Sequence, residues 1–161
     1  GRFGVTKKAA PETNGTEYYL DKGYTYCDTI IPESEFYETN QYKNFDGADW
    51  EADDTQKEYL RQFVKLAREN GSEVVFVTAP IANISMELID NYDDVHNELA
   101  AISEELGVKY LDFNIVNMRE NLFKLENFRD DAHLNDSGVK IADKYYIEWL
   151  RNNTETFGNN N

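Results

Sequence analysis

The residues best suited to chemistry lie close together near the end of the chain, in the run Phe128-Arg129-Asp130-Asp131-Ala132-His133-Leu134-Asn135-Asp136-Ser137-Gly138. Asp130 and His133 form an Asp-x-x-His unit directly ahead of a helix that Asn135 or Asp136 can cap, so one turn of backbone can set a carboxylate beside an imidazole. A carboxylate bonded to one ring nitrogen fixes the tautomer and stabilises the imidazolium, leaving the other nitrogen free to take a proton from a hydroxyl nucleophile. Asp131 is the alternative acid. The bland reading of the same residues is an exposed or capping histidine before a helix.

The elements that must position this pair follow from hydrophobic period. Asp53 with Gln56 predicts a capping box, and Tyr59, Leu60, Phe63, Val64 and Ala67 then share one face of a helix that Gly71 stops. The apolar run from Glu73 to Thr78, closed by Ala79-Pro80, predicts a strand buried on both faces. Val95, Leu99, Ile102 and Leu106 predict a second helix ending at Gly107, and Val108 to Phe113 the next strand. Val139, Ala142, Tyr145, Tyr146, Trp149 and Leu150 make the apolar face of a last helix. Helices alternating with strands define an α/β class with a mostly parallel sheet covered on both sides, a three-layer α/β/α arrangement. In such sheets the ligand crevice opens at the carboxyl ends of the strands. Two loops qualify: Thr78 to Ser85, and a long connection from Asn114 to Asn135.

The amino-terminal part reads less clearly. Residues 1–16 show no period and predict a weakly ordered lead-in, as does the polar tail 152–161. Tyr18, Tyr19, Tyr24, Tyr26, Ile30 and Ile31 suit short strands divided by a turn at Asp21-Lys22-Gly23. Residues 33–52, acidic and aromatic, predict a long surface excursion with a turn at Asn44-Phe45-Asp46-Gly47. Its aromatics are either core or a platform for stacking sugars.

The run Asp130-x-x-His133-Leu134-Asn135-x-x-Gly138, entering a terminal helix after an α/β sequence, resembles the last motif block of the SGNH (GDSL-type) hydrolases. The likeness spans roughly Asp53 to Leu150. Within that superfamily it is nearest the bacterial surface branches, such as lipoteichoic-acid D-alanylation and alginate-acetylation-like proteins. The resemblance implies an esterase or acyltransferase acting on cell-envelope polymers or acylated carbohydrate, with Asp130 as orienting acid and His133 as general base. It also implies a serine nucleophile in a Gly-Asp-Ser-like block, and none is legible among Ser34, Ser72, Ser85, Ser103 and Ser137. The chain is then the C-terminal part of a longer protein, completed by a missing N-terminal segment or a second chain, with the serine and a membrane anchor upstream. The alternative is a non-catalytic glycan- or partner-binding module on the same scaffold; a third reading is an acidic interaction domain.

Composition bounds these readings. The chain has 161 residues, enough for one domain with a sizeable core. With 16 Lys and Arg against 31 Asp and Glu the net charge is −15, which repels nucleic acid and acidic membrane surfaces. At 40% hydrophobic and 14% aromatic it has the apolar content to fold. One cysteine, Cys27, excludes an internal disulfide, and no Cys/His cluster or Asp-x-Asp-x-Asp-Gly loop offers a zinc or calcium site. No cofactor is expected. His96 reads as a helical residue, and Ser85 as a helix cap rather than a nucleophile.

Overall fold

The computed structural model describes residues 17–30, 32–38, 40–45 and 47–158; the lead-in expected over residues 1–16 lies outside these, as do Ile31, Asp46 of the turn expected at Asn44 to Gly47, and residues 159–161. The described part is a mixed α/β chain whose helices outweigh its strands.

The Tyr-rich segment forms an antiparallel hairpin, β1 (Glu17–Asp21) with β2 (Tyr24–Cys27), Glu17 opposite Cys27. Its turn places Lys22 at φ 51° and Gly23 at φ 90°. Two successive left-handed residues make the turn whose twist matches a hairpin, and glycine adopts the second at no steric cost. Tyr18 and Tyr26 stack across it, centroids 4.8 Å apart. Cys27 is a free thiol, buried as a small apolar group.

The segment expected to be a surface excursion is partly core. It contains α1 (Glu33–Glu38) and a 3-10 turn over Gln41–Asn44, and Phe36 and Asn40 are buried. One buried residue in a six-residue helix, and none in the 3-10 turn, gives no period, which is why the sequence hides it.

Helix α2 (Asp54–Glu69) begins with the capping box foreseen, Asp53 accepting from the Gln56 amide while the Gln56 side chain accepts from the Asp53 amide. It leads through Gly71 into β3 (Val75–Thr78). A short turn, α3 (Asn83–Met86), follows, then α4 (Tyr92–Glu105) and β4 (Lys109–Asp112). β3 and β4 pair in parallel, Thr78 opposite Asp112. Ion pairs Lys57–Glu98 and Arg61–Glu105 set α2 beside α4.

This sheet has two strands among the described residues, so two expectations fail. β3 is not buried on both faces, because Val77 is 41% exposed. On α2 only the inner line through Val64 is buried, while Tyr59, Phe63 and Leu66 remain more than half exposed. A narrow sheet offers a helix too little surface to cover a wide apolar face.

The expected long connection after β4 is not irregular either. Phe113 to Glu120 form α5, followed by a 3-10 turn at Leu125–Asn127. The last helix, α6 (Asp136–Asn153), is capped by Asn135, whose side chain accepts from the Gly138 amide. The tail expected to fray adds α7 (Glu155–Gly158), fastened where Glu73 accepts from the amides of Glu155 and Thr156. Phe36, Leu111, Phe113, Val116, Phe123 and Phe128 make the core, and Tyr145, Tyr146 and Trp149 of α6 close over it. Among the described residues no helix is long and apolar enough to cross a membrane.

Gly138 is set by space. A Cβ there would stand 2.3 Å from the Asn127 carbonyl oxygen and 2.7 Å from Leu134 Cδ2. Alanine gains about 1 kcal/mol of helix propensity but overpacks against backbone, at about 3 kcal/mol. The clash wins. Gly138→Ala should therefore lower unfolding free energy by about 2 kcal/mol in urea titration, and an unchanged midpoint would show that α6 can move away from Asn127.

Candidate functional site

The two loops singled out by the strand ends meet in the fold. Ala82, just after β3, donates its amide to the Asp131 carbonyl at 3.1 Å. Asp131 belongs to a tight turn closed by an antiparallel bridge between Phe128 and Leu134 and by the Arg129 amide on the His133 carbonyl, 2.9 Å. That turn carries the predicted pair.

Within it, His133 Nδ1 lies 2.8 Å from Asp130 Oδ1 and 3.0 Å from Oδ2. Asp130 Oδ1 also accepts the amides of Ala132 at 2.9 Å and His133 at 2.7 Å. The carboxylate thus shapes the turn and orients the ring with the same oxygen. An ionised acceptor puts the proton on Nδ1 and leaves the Nε2 lone pair available. The His133 side chain is 65% exposed, and Nε2 makes no hydrogen bond among the described residues. The arrangement can move a proton to or from a group outside the turn.

Arg129 flanks the pair, its Nε 3.3 Å from Asp130 Oδ2 and its Nη1 paired with Glu17 of the hairpin. Partial burial pushes the Asp130 carboxyl up, but the Ala132 amide, the His133 ring and the His133 amide outweigh it and hold it below the usual carboxylate range. Asp131, the alternative acid, is occupied elsewhere: Gln41 donates to it from its amide at 2.8 Å and from Nε2 at 3.0 Å. Geometry therefore selects Asp130.

Three of the five serines are committed to structure. Ser85 is fully buried, donating to the Asp131 carbonyl at 3.0 Å and accepting from Asn40 Nδ2 at 2.9 Å. Ser103 donates to the Leu99 carbonyl and Ser137 to Asn135 Oδ1. Ser34 and Ser72 form no hydrogen bond with His133. No group of His, Cys, Asp and Glu able to hold a metal ion occurs among the described residues.

A second acid–imidazole contact, unread in the sequence, lies at the end of β4. Asp112, its side chain 2% exposed, accepts from His96 Nδ1 at 3.0 Å. It also accepts from the hydroxyls of Tyr92 and Tyr110, each at 3.1 Å, and from the Asn114 amide at 2.9 Å, which caps α5. Burial, then the nearby Asp112 charge, pushes the Tyr92 phenol well above its ordinary value. Burial does the same for Tyr110 despite its bond to Thr78. Asn114 passes the network onward, donating to the Tyr92 hydroxyl at 2.8 Å and accepting the Ile81 amide at 2.9 Å. Sixteen residues and a change of element separate His96 from Asp112, so no local spacing announces them. A cavity of about 390 Å³ beside Tyr92, with Met86, Ile89 and Met118 in its wall, includes neither Asp130 nor His133.

No protein-family model, curated protein or solved structure matches the chain.

Two outcomes follow. Asp112→Ala should cost about 3–5 kcal/mol, because several buried donors lose one acceptor together; a loss under 1 kcal/mol in denaturant titration would demote that network. Asp130, with its pKa depressed on folding, contributes stability that is present above about pH 4 and disappears as pH falls through the lower folded value. Protection of the Ala132 and His133 amides, corrected for the intrinsic exchange rate at each pH, should fall over that acid range, and protection that is flat down to full protonation would contradict the turn's dependence on the carboxylate.

Proposed function

We propose that the chain is the C-terminal part of an SGNH-like esterase or acyltransferase acting on ester groups of cell-envelope polymers, its nucleophilic serine supplied from outside this chain. The observation that carries the reading is the Asp130–His133 pair, with Nδ1 on the carboxylate and Nε2 open, on a turn packed against the loop that leaves β3. The resemblance of the Asp130 to Gly138 run to the SGNH block supports it, and a three-layer sheet would follow once further strands flank the parallel pair.

The chemistry then runs in two halves. The serine hydroxyl attacks the ester carbonyl while His133 Nε2 takes its proton, and Asp130 stabilises the imidazolium through Nδ1–H. The C–O bond to the leaving alcohol breaks as His133 returns that proton to it, leaving an acyl-serine. Water or a polymer hydroxyl attacks the acyl group, giving its proton to Nε2, and the serine recovers a proton as it leaves. No cofactor enters. An acylated carbohydrate is the substrate class, and an extracytoplasmic bacterial surface, reached through an anchor upstream, is the matching location.

The test compares this chain with the reading frame extended upstream, using p-nitrophenyl acetate turnover and a serine-reactive phosphonate. The extended protein should label on one serine, and His133→Ala should lower kcat by about 10⁶-fold with little change in KM. This chain alone, wild type or His133→Ala, should stay at background. An extended protein that neither labels nor depends on His133 rejects the catalytic reading in favour of a non-catalytic glycan- or partner-binding module. Turnover by this chain alone that His133→Ala abolishes would place the nucleophile here and overturn its assignment elsewhere.

A further inference from the structure

We propose that Asp131 is the positioning residue of the proton-transfer pair, fastening the turn that carries Asp130 and His133 to two distant parts of the fold. The proposal deepens the reading of His133 as proton carrier and rests on it for its functional meaning; its geometry is independent of that reading.

An imidazole that is 65% exposed gains little from a single ion pair at the surface, because screening and rotamer entropy oppose a fixed geometry. The bonds that Asp130 makes to Ala132 and His133 shape the turn from within, but a turn tied only to itself can swing as one body. Asp131 ties it outward on both of its polar ends. Its carboxylate receives Gln41 in a fork, from the amide at 2.8 Å and Nε2 at 3.0 Å, across 90 residues of chain. Its carbonyl receives the Ala82 amide at 3.1 Å and the Ser85 hydroxyl at 3.0 Å. Ser85 is in turn held by Asn40 Nδ2 at 2.9 Å, so the two anchors are joined behind Asp131.

Asn40 and Ser85 are 5% and 0% exposed, which makes the support rigid and costly to disrupt. The fork has a second effect: it occupies both oxygens of the neighbouring carboxylate that could otherwise compete for the ring. Asp130 sets the tautomer of His133, and Asp131 holds in place the turn on which that contact is made.

Ring ¹⁵N spectra of the labelled chain test this, since its two histidines, His96 and His133, each place Nδ1 on a carboxylate and His96 serves as an internal reference. In the wild type, the neutral His133 ring should carry its proton on Nδ1. Asp131→Ala should shift His133 toward the Nε2–H tautomer and speed exchange of its Nδ1 proton at least tenfold, with His96 unmoved. Asp131→Asn, which keeps an acceptor for the Gln41 amide, should restore most of the wild-type signal. Should Asp131→Ala not fold, Gln41→Ala removes one prong from an exposed site and should give an intermediate shift. A His133 ring unchanged in the folded Asp131→Ala or Gln41→Ala chain overturns the proposal, as does a shift of His96 equal to that of His133. The tautomer response appearing in a protein whose extended form hydrolyses no ester would keep the positioning role and reject the catalytic reading alone.

Discussion

One buried negative charge organises the end of the parallel pair. Asp112 closes β4, caps α5 and draws His96, Tyr92 and Tyr110 onto itself, so strand, following helix and crossover helix converge on a single carboxylate. A charge removed from water is tolerable only with its acceptor sites filled, and these donors fill them. Among the described residues no buried side-chain nitrogen or oxygen lacks a partner. Because Asn114 extends the cluster to the Ile81 amide, the loop after β3 takes its shape from Asp112, and that loop is what the His133 turn leans on through Ala82.

The Asp130–His133 pair is thus the outermost layer of a polar stack that begins in the interior. Each layer has a different character. Asp112 is dry and saturated with donors; Ser85 and Asn40 form a neutral buried relay; Asp130 keeps about a third of its side chain in solvent, and His133 most of its own. Proton transfer needs an exposed nitrogen, and precision needs a fixed one. The layering reconciles the two, since the exposed ring sits on a turn that is backed by the buried Ser85 and Asn40.

What the sequence discloses follows from how local each determinant is. The Asp53–Gln56 box, the stops at Gly71 and Gly107 and the Asn135 cap are contained within a few residues, and each falls where the pattern puts it. The Asp130–His133 contact was legible for the same reason, being one turn long. Helix α5 was not: Phe113, Asn114, Val116 and Asn117 are all buried, so it shows no polar face, and its cap is the last residue of the preceding strand. Gly138 was visible as a motif position, but the Asn127 carbonyl that forbids a side chain there comes from another turn. Nor could the exposure of Tyr59 and Phe63 be read from period, which reports an apolar face without reporting what covers it.

The hairpin adds a kinetic dimension. Its links to the region around α6 are among the most distant in the chain: Glu17 to Arg129 and Tyr24 to Asp136 each span 112 residues, and Thr29 to Asn135 spans 106. Closing loops of that size costs entropy before any contact repays it, and contacts so distant in sequence raise the contact order that slows folding as a whole. During synthesis the hairpin emerges long before its counterparts exist, and it waits on nearly the whole domain to be translated. The Glu17–Arg129 and Tyr24–Asp136 contacts therefore cannot form until the run from Arg129 to Asp136 has been synthesised.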